Sequence, residues 1–332
     1  MRIVFFDCEE HDRQNLYKFF PQAETIEFVN ESLSAENAAE FADAEIISVF
    51  IYSEVTKDVL DLLPNLKLVT TRSTGYDHID LVECKKRNIA AANVPFYGEN
   101  TVAEHTFALI LSLSRNVHKS YMRTLQGDFS IKGLEGFDLK GKTLGVIGAG
   151  RIGLHVIRIA KGFGMHVKAF DVKKDTFMAE VMGFEYAEIN DILQCSDIIT
   201  LHVPYNAHTH HLINKERIGY IKKGAILINT ARGAVVDTDA LLEALEKNIL
   251  SGAGLDVLEG EEFIREDKEL LREKGNTKAL ETLSRDDMIM KMENVVFTPH
   301  IGFYSKEALE RIIQTTSETI QSFYDGKLIN TL

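Results

Sequence analysis

Short apolar runs alternate with amphipathic segments along the first hundred residues. The apolar runs predict strands at 3–6, 46–51, 66–71 and 89–93. The segments between them predict helices at 13–20, 55–63 and 81–87. Strands that alternate with helices assemble into a parallel sheet with helices on its faces. The pattern therefore predicts an α/β domain at the start of the chain.

The same alternation resumes at Lys142. The apolar runs of this second series predict strands at 143–147, 166–170, 197–201, 225–229, 252–257 and 295–298. Between the two series, apolar residues at helical spacing predict one buried helix from Asn100 to Lys119. We expect two α/β domains with parallel sheets, Rossmann-like or flavodoxin-like, joined through this helix.

Two later segments complete the predicted organisation. Segment 263–291 is highly charged and helical in composition, and it is expected to lie over the surface. A helix predicted at 306–324 is expected to return to the first domain. That domain would then be discontinuous and comprise residues 1–99 and 300–332, with residues 100–299 forming the second domain.

The formal charge of −13 restricts the partners of the chain. Nucleic acids and anionic membranes would be repelled over most of its surface. A small anionic substrate would need positive charge placed locally by individual Arg and His side chains. We expect neither a nucleic acid nor a membrane as a partner.

Cysteine usage bears on the compartment. Cys8, Cys84 and Cys195 are far apart and form no Cys-x-x-Cys pair, which disfavours a disulfide scaffold and a structural zinc site. His208, His210 and His211 lack a carboxylate or Cys at ligand spacing, so no metal is predicted there. The apolar stretches are too short for a signal peptide or a membrane span. We expect a cytoplasmic protein without a metal.

The motif with the most specific context is Gly148-Ala149-Gly150-Arg151-Ile152-Gly153. It directly follows a predicted strand and opens an amphipathic run, and Asp171 ends the next predicted strand. This context is typical of a dinucleotide-binding fold. The glycines allow a tight turn and a close approach of the pyrophosphate to the backbone, and the helix beginning at Arg151 and Ile152 presents free N–H groups to it.

Asp171 bears on the choice of cofactor. Its carboxylate can accept hydrogen bonds from both ribose hydroxyls of NAD and would repel the additional phosphate of NADP. Lys173 and Lys174 lie close enough in sequence to weaken this discrimination. We predict NAD as the cofactor and residues 100–299 as the domain that binds it.

Further segments resemble a known family. They are Asn229-Thr230-Ala231-Arg232-Gly233, Leu255-Asp256-Val257-Leu258-Glu259-Gly260-Glu261, Thr298-Pro299-His300 and Asn93-Val94-Pro95. With the glycine motif, they occur in the order and near the spacing of the D-isomer-specific 2-hydroxyacid dehydrogenases. The chain resembles this family, and most closely its D-lactate dehydrogenase branch.

The resemblance implies a catalytic set of three residues. Arg232 would clamp the carboxylate and carbonyl of the substrate, His300 would be the acid/base, and Glu261 would be the partner of His300. A forked guanidinium can hold a carboxylate and polarise a ketone oxygen at once, and a protonated imidazole can neutralise the alkoxide. Glu259 and Glu262 are rival carboxylates in the same acidic run, and the family motif favours Glu261. The resemblance also implies cofactor contacts from Val203, Pro204, Thr230, Ala231 and Asp256.

The substrate side of the site is also implied by resemblance. The turn from Arg72 to Asp77, with Thr74 and Gly75, matches the family turn that binds the substrate carboxylate through backbone N–H groups. Aromatic walls would come from Tyr52, Tyr97 and Phe303, which would exclude a phosphate and favour a short apolar group. Pyruvate is the first choice of substrate, and larger 2-keto acids such as 2-ketoisocaproate or phenylpyruvate remain open.

The resemblance further implies an active site in the cleft between the domains and a homodimer. Two rival functions share this fold. A non-catalytic NAD-sensing protein of the C-terminal binding protein type is disfavoured because no added partner-recognition segment is evident. An enzyme acting on formate or phosphite is disfavoured because formate dehydrogenases of this fold replace the glutamate with glutamine.

Overall fold

The chain divides into two compact units. The computed structural model describes residues 1–8, 10–20, 26–260 and 277–332. One unit comprises Met1–Gly98 with Tyr304–Leu332, and the other comprises Glu99–Phe303. The borders predicted from the sequence follow residues 99 and 299, and those of the two units follow residues 98 and 303.

The described residues form twelve strands and twelve α-helices, each numbered in chain order. Strands β1 to β12 are Ile3–Phe5, Ile26–Phe28, Ile46–Val49, Leu68–Thr71, Ala90–Ala92, Thr143–Ile147, His166–Phe170, Glu185–Tyr186, Ile198–Leu201, Ala225–Asn229, Leu250–Leu255 and Val295–Phe297. Helices α1 to α12 are Glu10–Leu16, Lys57–Asp61, Leu81–Lys86, Glu99–Ser114, Val117–Leu125, Arg151–Gly162, Thr176–Met182, Ile189–Cys195, Lys215–Ile218, Thr238–Glu246, Thr277–Met290 and Lys306–Tyr324.

The first unit contains a parallel sheet in the order β2-β1-β3-β4-β5. This is the flavodoxin-like strand order. Strands β3 and β4 are buried at every position, as their uninterrupted apolar and small side chains predict. Helix α12 covers one face, where Ile313 and Ile320 join a core cluster with Ile3 and Phe5. Strand β2 was not predicted, because it is a three-residue edge strand that is only half-buried.

The second unit contains a parallel sheet in the order β12-β11-β10-β9-β6-β7-β8. The chain starts in the middle at β6, runs outward to β8, and then crosses to β9 on the other side of β6. This reversal is the topological switch point of a Rossmann fold, where ligands bind at the carboxyl ends of the strands. The two parallel sheets confirm the predicted α/β fold class.

The prediction of one helix from Asn100 to Lys119 is wrong. Helix α4 ends at Ser114 and α5 begins at Val117, because Asn116 has a left-handed backbone with φ 50°. Asn tolerates this conformation better than most residues. The side chain of Asn116 donates to Glu135 O at 3.0 Å, and Phe137 N donates to Ser114 O at 2.8 Å. The segment after α5 therefore packs against the end of α4 and stops it.

The expectation of a surface layer at 263–291 needs correction for its second half. Helix α11 begins at Thr277, and Leu283 and Ile289 within it are buried. Ile289 belongs to the core cluster that also contains Val295. Residues 261–276 lie outside the described residues. None of the described helices is long and apolar enough to cross a membrane.

Candidate active site

The glycine motif forms the turn between β6 and α6. Gly148 has φ 100°, and a Cβ there would lie 2.5 Å from His202 O. A Cβ on Gly153 would lie 2.0 Å from Gly148 O, so only glycine lets the helix approach the strand end. A Cβ on Gly150 would meet nothing within 4 Å. Open space thus lies beside Gly150, the residue that precedes the first turn of α6.

This space fits the pyrophosphate of a dinucleotide. Helix α6 begins at Arg151, and the backbone N–H groups of its first turn lack carbonyl partners within the helix. They present partial positive charge to an anion at the helix N-terminus. Asp171 directly follows β7, and its Oδ1 accepts a hydrogen bond from Lys173 N at 2.8 Å. Gly148 and Asp171 thus follow the adjacent strands β6 and β7.

His202 lies beneath this turn. Its Nε2 contacts Thr200 Oγ1 at 2.9 Å. The residue as a whole is only partly buried, but Nδ1 is fully buried and has no hydrogen-bond partner among the described residues. Burial lowers the pKa of His202 to about 3, because the charged form would lose its hydration. The imidazole is therefore neutral at physiological pH.

Three predicted site residues follow three adjacent strands. Arg232 lies three residues after the end of β10, Asp256 directly follows β11, and His300 lies three residues after the end of β12. These strands are parallel neighbours in the sheet, so all three residues lie at its carboxyl edge. This is the edge that open α/β sheets use for ligands.

The Arg232 loop is held by hydrogen bonds and by close packing. Buried Asn229 accepts from Ala231 N at 3.0 Å and donates to Arg232 O at 3.0 Å. Arg232 Nη1 donates to Ala231 O at 2.8 Å. A Cβ on Gly233 would lie 2.0 Å from Leu258 O, so the loops after β10 and β11 touch backbone to backbone.

Asp256 holds the turn that carries His300. Its side chain is 3% exposed, and its two carboxylate oxygens accept from Ile301 N at 2.9 Å and Gly302 N at 2.8 Å. The backbone O of Asp256 accepts from His300 N at 2.9 Å. His300 itself has a left-handed backbone with φ 56°, a conformation that His adopts more readily than most side chains.

Glu259 is engaged in contacts of its own. Its Oε1 lies 2.8 Å from Nε2 of His211, and its Oε2 accepts from Thr238 Oγ1 at 3.4 Å. His211 N also donates to Ala234 O at 2.8 Å, next to the Arg232 loop. Glu261, the predicted partner of His300, and its rival Glu262 lie outside the described residues.

The predicted substrate turn lies at the carboxyl end of β4 in the first unit. Thr74 Oγ1 donates to Val94 O at 2.9 Å, and Asn93 Nδ2 donates to Thr74 O at 2.8 Å. Ser73 Oγ donates to Gly75 O at 2.6 Å. The matched Asn93-Val94-Pro95 segment therefore braces the turn, and Thr74 itself is exposed.

Two charged residues stabilise this edge of the first sheet. Arg72 is 4% exposed, and its guanidinium donates to Phe6 O, Asp7 O and Ser48 O. The carboxylate of Asp7 accepts from Ser32 Oγ at 2.6 Å, Ser53 Oγ at 2.6 Å and Phe50 N at 3.1 Å. The ends of β1, β3 and β4 are thus tied together by hydrogen bonds to these two residues.

The three predicted aromatic residues belong to different units. Tyr52 and Tyr97 lie in the first unit, after β3 and β5, and the ring of Tyr52 packs edge-on at 5.7 Å from the ring of Phe50. The backbone O of Tyr97 accepts from Arg311 Nε of α12 at 2.6 Å. Phe303 lies in the second unit, with its ring centroid 6.5 Å from that of His300.

Comparisons with known proteins agree with this geometry. The family model described as "D-isomer specific 2-hydroxyacid dehydrogenase, NAD binding domain" matches residues 107–302. The crystal structure of D-lactate dehydrogenase from Aquifex aeolicus, complexed with NAD and lactic acid, superposes with a TM-score of 0.89 and 39% identity and covers 98% of this chain and 96% of that one. The D-lactate dehydrogenase of Escherichia coli (strain K12) is 32% identical over 98% of both chains. A glyoxylate reductase of Pyrococcus furiosus is 33% identical over 87% of this chain and 82% of its own.

The chain belongs to the D-isomer-specific 2-hydroxyacid dehydrogenase family. The resemblance inferred from the sequence motifs is thereby confirmed. This 2-hydroxyacid dehydrogenase is an NAD-dependent oxidoreductase, and its cofactor is NAD. The space beside Gly150 and the free N–H groups of α6 fit that cofactor.

Most predicted site residues of this dehydrogenase lie at the carboxyl edges of the two sheets. In the second unit they are Gly148, Gly150, Arg151, Ile152, Gly153, Asp171, Val203, Pro204, Thr230, Ala231, Arg232, Asp256 and His300. In the first unit they are Tyr52, Thr74, Gly75 and Tyr97. Their individual roles stay predictions. Within the described part of the chain, no group of three His, Cys, Asp or Glu side chains is arranged to hold a metal ion.

The supporting roles of several residues at the sheet edges were not predicted from the sequence. The sequence positions of Arg72 and Asp7 could have indicated this role, because each is a charged residue within two positions of a buried strand. Asn229 was noticed only as part of a motif. The contact of His211 with Glu259 had no local signal, because the two residues are 48 positions apart.

Proposed function

We propose that this dehydrogenase catalyses the reversible, NADH-dependent reduction of pyruvate, or a similar small 2-keto acid, to the D-2-hydroxy acid. The observation that carries the proposal is the placement of Arg232, Asp256 and His300 after three adjacent parallel strands. A cation, a buried acid and an imidazole at one ligand-binding edge match the needs of a 2-keto acid: an anionic group to hold and a ketone oxygen to protonate.

Arg232 and His300 divide the work in this proposal. The guanidinium of Arg232 holds the substrate carboxylate and polarises the ketone oxygen. NADH, when bound, supplies the hydride that the ketone carbon accepts. His300 donates the proton that neutralises the developing alkoxide, and in the reverse direction it removes the hydroxyl proton.

The carboxylate partner of His300 is assigned to Glu261. Support comes from Glu259, the rival two residues earlier, which is already engaged with His211 and Thr238. An ionised Glu261 beside His300 would favour the imidazolium and extend keto acid reduction to higher pH. A Glu261→Gln variant should therefore move the alkaline limb of the reduction profile to lower pH.

The proposed substrate side favours a short, unphosphorylated keto acid. Its support is the ring of Phe303 beside His300 and the turn of Thr74 and Gly75, in which Thr74 is exposed. An aromatic ring next to the acid/base favours an alkyl group over a phosphate. D-2-hydroxyisocaproate-type substrates with longer alkyl groups are the alternative, and no observation favours a non-catalytic NAD sensor.

The experiment is NADH oxidation with a panel of acids: pyruvate, glyoxylate, 2-ketoisocaproate, phenylpyruvate and 3-phosphohydroxypyruvate. We expect the highest kcat/KM with pyruvate, a D-configured product in chiral analysis, and the lowest value with the phosphorylated acid.

His300→Asn keeps a residue that tolerates the left-handed backbone and removes the imidazole, so kcat should fall about 10²–10⁴-fold. His166→Asn is the matched control, because His166 is exposed at the start of β7. Turnover by His300→Asn at the wild-type rate would refute the assignment.

We also propose that the enzyme acts as a homodimer in the cytoplasm. Support for self-association comes from α5, where Val117, Tyr121, Met122 and Leu125 are all more than half exposed. Exposed apolar groups at this density mark association surfaces. Light scattering should give twice the chain mass, and Tyr121→Glu with Leu125→Glu should shift it toward a monomer. Phe177→Glu, on the exposed face of α7, is the control.

A further inference from the structure

Helix α4 contacts both of the strand ends that carry the proposed catalytic residues. His105 and Thr106 are consecutive residues of this helix. His105 Nε2 lies 2.9 Å from Thr298 Oγ1, at the end of β12. Thr106 Oγ1 lies 3.1 Å from Thr230 Oγ1, at the end of β10. Both contacts are made by polar side chains in a helix that is otherwise buried largely through Phe107, Leu109 and Ile110.

The contacts of Thr298 determine that Nε2 of the His105 imidazole carries a hydrogen. Thr298 Oγ1 donates its single hydroxyl hydrogen to Asp256 Oδ1 at 2.5 Å. It can therefore only accept from His105, so His105 Nε2 carries a hydrogen. The same nitrogen lies 3.3 Å from Asp256 Oδ1. His105 is thus a donor directed at the hydroxyl–carboxylate pair.

Thr298 and Asp256 together support the turn that carries His300. Asp256 accepts from the backbone N–H groups of Ile301 and Gly302, which follow His300 directly. A Cβ on Gly302 would lie 2.7 Å from Asp256 Oδ2 and 3.4 Å from His105 Cδ2, so the turn packs against both side chains. A shift of the carboxylate would be transmitted to the turn through two hydrogen bonds.

We propose that His105 is a positioning residue for His300, acting through Thr298 and Asp256. The inference rests on the proposed acid/base role of His300 and deepens it. Helix α4 spans Glu99–Ser114 and is anchored by its buried apolar side chains, so it offers a fixed reference for the turn. The hydrogen bond from His105 connects the turn to that reference.

The test uses a conservative pair of variants at position 105. His105→Leu removes the donor, and we expect kcat with pyruvate to fall roughly 10–100-fold, because misplacement by about 1 Å costs about this much in rate. His105→Gln offers an N–H in place of Nε2–H and should recover most of the loss. The KM for pyruvate should change less than about threefold. His166→Leu, which removes an exposed imidazole, is the matched control.

A second pair at position 298 keeps the inference falsifiable if His105→Leu folds poorly. Thr298→Val removes the hydroxyl and Thr298→Ser retains it, so the first should lose kcat and the second should recover it. The double variant His105→Leu with Thr298→Val should lose no more than the worse single variant, because both remove the same connection. Equal loss in His105→Leu and His105→Gln with intact melting temperatures would overturn the inference. Wild-type kcat in His105→Leu would overturn it as well, while failure of the wild-type enzyme to turn over any 2-keto acid would overturn the proposed function instead.

Discussion

Two glycines of the turn between β6 and α6 should respond in opposite ways to the same added methyl group. In Gly153→Ala, the new Cβ would lie 2.0 Å from Gly148 O and 3.1 Å from Gly148 C. Optimal contacts between heavy atoms are about 3.5–4.0 Å, so helix α6 must move away from the strand end by more than about 1 Å. Backbone atoms cannot rotate out of the way. Overpacking of this kind costs about 1–3 kcal/mol of unfolding free energy.

Gly150→Ala introduces no such conflict. Its Cβ meets nothing within 4 Å, and its φ of −72° is available to alanine. Loss of a good N-cap residue costs at most about 1 kcal/mol. The methyl group would instead occupy the space proposed for the pyrophosphate. We expect the Kd for NADH to rise at least about tenfold, which corresponds to roughly 1.4 kcal/mol.

The assay combines thermal melting without nucleotide and fluorescence titration with NADH. Gly153→Ala should lower Tm by about 2–12 °C, from roughly 2–4 °C for each kcal/mol in a domain of this size. Gly150→Ala should lower Tm less and lose more affinity. The reasoning is refuted if Gly150→Ala binds NADH as the wild type does, or if Gly153→Ala melts at the wild-type temperature.

Three further predictions concern the same unit. Gly233→Ala should lower kcat/KM for pyruvate roughly 100-fold, because its Cβ would lie 2.0 Å from Leu258 O and displace the Arg232 loop. Steady-state kinetics would measure this loss, and an unchanged kcat/KM would contradict the prediction. The pKa of His202 is lowered from the ordinary 6.5 to about 3, so the unfolded chain binds a proton in this window and the folded chain does not. Unfolding free energy from urea titrations should fall by about 1.4 kcal/mol per pH unit as pH drops below about 6, and His202→Asn should lose this part of the slope. Asp171→Ser should raise the ratio of kcat/KM with NADPH to that with NADH about tenfold or more, and an unchanged ratio would assign the discrimination to other residues.

Ten of the twelve described strands could be predicted, because their sequences repeat one simple pattern. Runs such as Ile46–Val49 and Ala225–Asn229 are buried on both faces, and burial on both faces requires continuous apolar side chains. The glycine motif was recognisable for a similar reason. Gly148 and Gly153 meet steric demands that the strand-to-helix turn imposes, and Gly150 leaves the space proposed for the pyrophosphate, so the three glycines have a fixed spacing in the sequence.

Features that depend on distant residues could not be predicted. The end of α4 depends on a backbone reversal at Asn116 and on the packing of residues 134–137 against it, and neither changes the apolar periodicity. The edge strands Ile26–Phe28 and Glu185–Tyr186 are too short for a period to be visible. The proposed support of His300 depends on a contact between His105 and Thr298, which are 193 positions apart, and its local trace is a polar ring on a helix that is otherwise largely apolar.

The interrupted first unit affects the order in which the protein can be completed during synthesis. Its sheet is made from residues before Gly98, but α12 and the bridge between Ala92 and Thr331 come from residues after Tyr304. Ribosomes add about 5–20 residues per second, so roughly 200 intervening residues delay the covering of this sheet by about 10–40 s. During that interval the nascent chain exposes the apolar face formed by Ile3, Phe5 and Ile46. Chaperone binding to ribosome-attached intermediates should therefore be strongest before α12 has emerged.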